Sequence, residues 1–410
     1  MTRKKIKVLQ ILVCLGGGGV ETLLLNLQPK LPEHITFDYL VAHSDSRDKD
    51  ALALGSTIHV TPPEMQRPTH WGTLVEQLVR EHGYDVVHFH RFAFGGNVLK
   101  TAKKAGAKIR IAHSHHTLLQ ESSLLKKLLY YPYHWTVNRW QLAQHATHIV
   151  GCSSDALRFL MGPLAKNSKC RVILNGIPIE TFAAKIGSTP KAELAERYGI
   201  PADAPIIGNF GRLDPVKNHE FLLRVFDMLV KLYPSNSVLY LPAPKTDNFQ
   251  GSDYANSPQH KHRVGERVFI GGEGQLRPEL EQEREQLDVQ SRIFMPGLCT
   301  NAPELLGNLF DCFVLPSKAE GLPVSVIEAV AAGLYVVCSD SVTKDITGAF
   351  PNRITALPLS APLEVWAEAI EKAIEQRIPP EQGLELVRRS PMNFDHFANE
   401  VIKMYETAGE

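Results

Sequence analysis

At 410 residues the chain is too long for one ordinary core, so two domains are expected. Its composition, 44% hydrophobic and 21% charged, is that of a globular protein, and no apolar run approaches the roughly 20 residues that span a bilayer. The net charge is zero but unevenly spread: residues 1–178 hold 22 Lys+Arg against 12 Asp+Glu and 13 of the 17 histidines. Such a basic half suits an anionic partner, a membrane surface or a phosphorylated acceptor, or is a surface imbalance without a role. The six cysteines are scattered with no C-x-x-C and read as free buried thiols in a reducing compartment.

Met1 to Cys14 carries a basic cap and a short apolar run, as a signal peptide does. Four glycines follow instead of a small-residue cleavage site, so a buried first strand is expected. Further strands are predicted at Phe37–Ala42, Asp85–Phe89, Ile109–Ala112, His148–Cys152 and Arg171–Leu174, separated by helical patterns such as Gly19–Leu27, Gly72–Glu81 and Gly96–Ala105. This alternation predicts a parallel α/β sheet. Residues 179–205, with Pro190, Pro201 and Pro205, read as an inter-domain connection around a short helix.

The same grammar then restarts. Strands are expected at Ile206–Arg212, at Val238–Leu241 or Arg267–Gly271, and at Arg292–Met295, Asp311–Leu315 and Tyr335–Ser339. Helices are expected at His219–Leu232, Leu276–Leu287, Pro323–Ala332, Leu363–Ile374 and Phe397–Thr407. Residues 242–263 are polar, contain three prolines and have no apolar period, which marks an inserted loop.

Four groups of residues can carry chemistry. Gly16 to Gly19 follows a strand and precedes a helix, so it is either a tight turn or a place where backbone meets an anion. It fits neither G-x-G-x-x-G nor a Walker A loop. Gly208 to Asn218 ends a strand in glycine and presents Arg212 and Lys217, two cations suited to a diphosphate or else a surface pair. In Phe313 to Gly333, Glu320 lies on a loop and Glu328 inside a helix opened by Pro323. Glu328 either lies on a solvated helix face or accepts two ribose hydroxyls, and amides near Gly321 to Val324 can meet phosphate or sugar oxygens. This E-x7-E is the most specific signal in the chain. Finally, His88, His90, His113, His115 and His116 follow two short strands. No nearby acid or cysteine completes a metal site, so they line a polar cleft, with at least one serving as a hydrogen-bond or acid/base group.

These segments resemble glycosyltransferase family 4. The second half matches in GNFGRLDPVKN, in GGEG at Gly271 to Gly274, and in PSKAEGLPVSVIEAVAAG. The first half is similar to bacterial capsular and exopolysaccharide transferases in VETLLLNL, DVVHFH, IRIAHSHHT and ILNGI. The resemblance implies a GT-B fold: α/β, with two Rossmann-like domains whose parallel sheets face across a cleft. The domains expected are 1–178, with a C-terminal helix at about 385–410 packing back on it, and 206–384 for the donor. The resemblance also implies a retaining, metal-independent transfer from a nucleotide sugar, UDP by family habit, with no cofactor. Arg212 and Lys217 would neutralise the diphosphate and Glu328 would hold the ribose. Glu320 would hold the transferred sugar with help from Gly321 and Leu322, His115 would lie by that sugar, and Gly17 and Gly18 would approach phosphates or acceptor. Partners would be the donor and a glycan or lipid-linked acceptor in surface polysaccharide synthesis, without nucleic acid. An epimerase or phosphorylase on the same fold, or a sugar-binding relative without catalysis, are the alternatives. Tyr335 departs from the family, which usually has proline there. Residues 124–140 mix leucines, aromatics and basic groups, so they lie either in a bilayer interface or under the first domain. The expected location is cytoplasmic, peripheral to the inner face of the membrane.

Overall fold

The computed structural model describes residues 4–65, 70–90, 95–117, 128, 131–187, 189–201, 204–233 and 267–409. The chain forms two units, Met1–Gly176 with Pro391–Glu410, and Ile177–Ser390.

In the first unit β1 (Ile6–Ile11), β2 (Ile35–Val41), β3 (Ile58–Val60), β4 (Val86–Phe89), β5 (Ile109–Ser114), β6 (His148–Gly151) and β7 (Cys170–Val172) form a parallel sheet in the order β3-β2-β1-β4-β5-β6-β7. Alternate side chains of a strand point to opposite faces. Val8 therefore packs with Leu23, Leu24, Phe397 and Val401, while Leu9 and Ile11 pack with Trp71, Val75, Val98 and Leu142. Helices Gly19–Leu27 and Phe394–Glu406 cover the first face, and Trp71–His82, Gly95–Ala105 and Arg139–His145 the second. Burial on both faces is why these strands read as nearly unbroken apolar runs.

Phe394, Phe397, Val401, Met404 and Tyr405 bring the end of the sequence onto the sheet that its start builds. Burying one such side chain stabilises the fold by about 1.5–3 kcal/mol. The chain arrives there through a close backbone approach: a Cβ on Gly176 would lie 2.6 Å from Phe394 N.

In the second unit β8 (Ile206–Phe210), β9 (Arg267–Gly271), β10 (Ile293–Gly297), β11 (Cys312–Leu315), β12 (Tyr335–Ser339) and β13 (Ile354–Leu357) form a parallel sheet in the order β10-β9-β8-β11-β12-β13. In both sheets the chain starts near the centre, runs outward to one side, and returns on the other. The reversal falls between β1 and β4 in the first unit and between β8 and β11 in the second. Open α/β sheets bind ligands outside the carboxyl ends of strands at such a reversal.

Three expectations are corrected. Residues 179–205 are not a connection between units but part of the second one. Their helices Ile179–Ala183 and Lys191–Arg197 bury Ile179, Phe182, Leu194 and Ala195, Lys191 pairs with Asp311 at 3.2 Å, and Asn308 Nδ2 donates to Thr189 O at 2.6 Å. The apolar positions are too few to stand out among the prolines and charges. Residues 385–390 also stay with the second unit, because Pro380–Arg388 is packed there: a Cβ on Gly383 would lie 2.7 Å from Ala331 O. β1 ends at Ile11, not Val13, and β3 and β13 add short strands at sheet edges. The predicted strand Val238–Leu241 and the insertion 242–263 lie outside the described residues, and Arg267–Gly271 supplies β9.

Candidate active site

The carboxyl ends of β8 and β11 carry two loops. The first, Gly211 to Asn218, leads into helix His219–Leu232, and the second, Pro316 to Pro323, leads into helix Val324–Ala331. Because β8 and β11 are paired, with Gly208 opposite Phe313, the loops emerge side by side. They are tied together at several points. Asn209 Nδ2 donates to Val314 O at 2.6 Å, Asn218 Nδ2 to Pro316 O at 3.1 Å, and Lys318 N to Val216 O at 2.7 Å. Asp214 Oδ1 accepts from the amides of Val216 and Lys217 at 3.0 and 3.2 Å, which turns the first loop. Asn218 sits at φ +60, a left-handed conformation that asparagine tolerates better than most residues.

This scaffold places Lys217 Nζ 2.6 Å from Glu320 Oε1, with the side chains only 19% and 11% exposed. Two charges from loops distant in sequence thus form a charge-assisted hydrogen bond at the strand reversal. Arg212 behaves differently. Its side chain is 69% exposed, and its guanidinium lies 3.6 Å from Asp214, beyond hydrogen-bond reach. It is an exposed cation on the same loop, only loosely paired with Asp214. Gly321 and Leu322 are buried behind Glu320. Glu328 is half-buried within its helix, and among the described residues its carboxylate has no ion-pair partner. Burial raises its carboxyl to about 7.

The glycines of GGEG serve packing. Gly272 has φ +141, and a Cβ there would run into Gly211 O. Gly274 also lies against the backbone of Leu213, whose amide donates to Glu273 O at 3.1 Å. This segment buttresses the loop that carries Arg212 and Lys217.

In the first unit, the loop after β1 separates its glycines by role. A Cβ on Gly16 would lie 2.8 Å from Asp45 Oδ2, whereas one on Gly17 would meet nothing within 4 Å. Gly17 therefore has open space beside its backbone. Gly18 caps helix Gly19–Leu27 from an extended conformation, and the Glu21 carboxylate lies over it. An acid in the first turn already complements the helix dipole there, which weakens the attraction for a phosphate.

Behind that loop, Gln10, His88, His90, His113, His115 and Tyr405 are all buried. His88 Nδ1 lies 2.7 Å from Tyr405 OH and His88 Nε2 3.2 Å from His113 Nδ1. His90 Nε2 lies 2.8 Å from Gln10 Oε1 and His90 Nδ1 3.0 Å from His115 Nε2. Burial, reinforced by the neighbouring imidazoles, holds all four histidines well below the ordinary histidine value. Two sets of side chains bring three possible metal ligands within 4.8 Å of one another: His88, His90 and His113, and Cys14, His43 and Asp45. Sequence reasoning missed Gln10 and Tyr405. Gln10 was visible as a polar residue between Leu9 and Ile11 in the apolar run of β1, while Tyr405 has no local signal.

Of residues 124–140, 124–127, 129 and 130 lie outside the described residues. In the rest, His134 and Asn138 are buried, and Arg139 Nη2 donates to Phe159 O at 2.8 Å. Trp135 and Trp140 are 54% and 60% exposed, beside exposed Val137.

Comparison with known proteins bears on the fold and the family. Residues 17–181 match the model described as Glycosyltransferase Family 4, and residues 257–384 that described as Glycosyl transferases group 1. The putative glycosyltransferase EpsF of Bacillus subtilis is 32% identical over 379 residues, 91% of this chain and 89% of that protein. The UDP-Gal:alpha-D-GlcNAc-diphosphoundecaprenol alpha-1,3-galactosyltransferase of Escherichia coli is 26% identical over 272 residues, 64% of this chain and 60% of that protein. Among solved structures, Anabaena HepE in complex with UDP and glucose aligns with a TM-score of 0.69 at 15% identity, covering 97% of this chain and 98% of that one. The two parallel sheets are those of a glycosyltransferase with the GT-B fold. The chain belongs to glycosyltransferase family 4 and is a hexosyltransferase.

Proposed function

We propose that the chain moves a hexose from a UDP-sugar to a glycan or lipid-linked acceptor in surface polysaccharide synthesis, retaining the anomeric configuration and using neither metal nor cofactor. The observation that carries this reading is the meeting of Lys217 and Glu320 at the strand reversal of the second unit. A cation and a carboxylate held there suit the two halves of a nucleotide sugar. Lys217 and the exposed Arg212 take the diphosphate. Glu320 takes hydroxyls of the transferred sugar, beside Gly321 and Leu322. Glu328, once ionised, accepts both ribose hydroxyls. Gly17 and Gly18 approach the phosphates or the acceptor, with Gly17 the more open of the two, and His115 lies by the transferred sugar.

In the transfer, the bond from the anomeric carbon to the diphosphate oxygen breaks, and the acceptor oxygen bonds to that carbon on the same face. The acceptor's proton passes to the departing phosphate. Lys217 and Arg212 stabilise the charge that develops on the leaving group, the largest catalytic contribution and the reason no metal is required. Support for the substrate class comes from two similar proteins: the Escherichia coli relative, with UDP-Gal and a diphosphoundecaprenol acceptor, and HepE, with UDP.

Among the described residues no helix is long and apolar enough to cross a membrane. Peripheral contact with the inner face of the cell membrane, from the cytoplasm, is supported by the exposed Trp135, Val137 and Trp140, with Arg139 over the Trp135 ring.

The test is transfer from UDP-hexoses to a lipid-diphosphate-linked sugar in the presence of a chelator, with the product's anomeric configuration read by NMR. A new glycoside with the donor's configuration is expected. An inverted product or a metal requirement would contradict the mechanism, and an isomerised nucleotide sugar would point to an epimerase.

A further inference from the structure

We propose that Gln10 and Tyr405 are positioning residues that set the tautomer of His115, leaving its Nδ1 as a bare lone pair for a hydroxyl of the substrate. This rests on the reading that His115 lies by the transferred sugar.

With Gln10 Nε2 turned toward Tyr405 and Oε1 toward His90, the assignment follows from counting protons. Each neutral imidazole carries one N–H and one lone pair. Tyr405 OH accepts from Gln10 Nε2 at 3.0 Å, so its own proton goes to His88 Nδ1 at 2.7 Å. His88 then holds its proton on Nε2 and donates it to His113 Nδ1 at 3.2 Å, which leaves His113 with an Nε2–H. In the other branch, Gln10 Oε1 can only accept, so His90 Nε2 donates to it at 2.8 Å. His90 Nδ1 is thereby a lone pair and accepts from His115 Nε2 at 3.0 Å. His115 ends with its proton on Nε2 and nothing on Nδ1.

The two loose ends are the atoms that have no partner among the described residues. His113 Nε2 and His115 Nδ1 are buried and unsatisfied. They are of opposite kind, one donor and one acceptor, and their rings lie 4.1 Å apart. Buried polar atoms without partners are rare and costly, and a bound ligand is one explanation for them. All four histidines share the Nε2–H form, the one a free neutral histidine side chain favours. Turning the Gln10 amide over would reverse every bond in both branches and force all four into the Nδ1–H form. His115 would then present a donor where an acceptor stood. A single side-chain amide, braced by a tyrosine from the last helix, thus decides what His115 offers.

Long-range proton–nitrogen NMR on the full chain with 15N-labelled histidine at pH 7.5 distinguishes the tautomers directly. In the wild type, His115 is expected with its proton on Nε2 and Nδ1 bare. In Gln10→Leu, His90 loses its fixed acceptor, and His90 and His115 should report a mixture. In the isosteric Tyr405→Phe, His88 loses its partner and the Gln10 amide its brace, so all four histidines should do so. Turnover in Gln10→Leu should fall roughly tenfold, the weight of one neutral hydrogen bond. A protonated Nδ1 on His115 in the wild type, or unchanged tautomers in both variants, overturns the proposal. Shifted tautomers with undiminished transfer would uphold the control by Gln10 and Tyr405 but remove His115 from the sugar site, so the failure would belong to the functional reading.

Discussion

Lys217 Nζ and Glu320 Oε1 lie 2.6 Å apart although 103 positions separate them in the sequence. Each charge stabilises the other in a mostly buried setting, so removing either one weakens the site. Lys217→Ala and Glu320→Gln should each lower stability by about 1–3 kcal/mol and turnover by about 10²–10³-fold. Arg212→Ala should lower turnover with no measurable change in the melting temperature, because an exposed pair at 3.6 Å contributes little. Melting curves alongside initial rates separate the two behaviours.

Much of this site was legible in advance, and the reason lies in local signals. Pro323 at the helix entrance, the apolar run before Pro316 and the acids at Glu320 and Glu328 fixed a loop and a helix without any tertiary information. Arg212 and Lys217 were equally visible after a strand ending in glycine. The ion pair itself was not, because it depends on β11 returning beside β8, which sequence periodicity does not encode. The same holds for Tyr405, whose partner Gln10 lies at the other end of the chain. Residues 179–205 failed for a different reason: Leu194 and Ala195 bury well, but in a stretch whose prolines imitate a linker.

Glu328 predicts a pH dependence of donor binding. Its carboxyl sits at about 7, above the usual 4.5, through burial. Ribose hydroxyls require the ionised acceptor, so affinity for UDP should rise as pH increases through about 7. Stability runs the other way: the folded state binds the extra proton between 4.5 and 7, so this group's contribution declines as pH rises through that window. The loss is at most about 3 kcal/mol. Glu328→Gln should flatten both trends and weaken UDP binding roughly tenfold, as calorimetry at pH 6 and pH 8 would show.

The histidine network has the opposite signature. His88, His90, His113 and His115 are held well below 6.5, so below that value the unfolded chain takes up protons that the fold refuses. Their contribution to stability is complete above pH 6.5 and is lost on acidification, at about 1.4 kcal/mol per group per pH unit. Hydrogen exchange at pH 7.5 and pH 5.5 should show β4 and β5 losing protection first in acid.

Two glycines should separate structure from ligand contact. Gly272→Ala places a Cβ against Gly211 O at φ +141, and should cost about 2 kcal/mol or more through strain and crowding. Gly17→Ala meets no atom of the protein within 4 Å, so its melting temperature should match the wild type while transfer falls.

Trp135 and Trp140 supply the clearest test of membrane contact. The double variant Trp135→Ala/Trp140→Ala should abolish flotation with anionic liposomes while leaving transfer to a water-soluble acceptor intact. Wild-type protein that fails to float would remove the membrane from the account.

UDP binding to the second unit's loops is the central claim, and titration calorimetry on the full chain measures it without knowledge of the acceptor. Saturable one-to-one binding of UDP is predicted for the wild type in the presence of a chelator, weakened at least about tenfold in Lys217→Ala and in Glu328→Gln. No binding to the wild type, or equal binding to all three proteins, would contradict the assignment of this site.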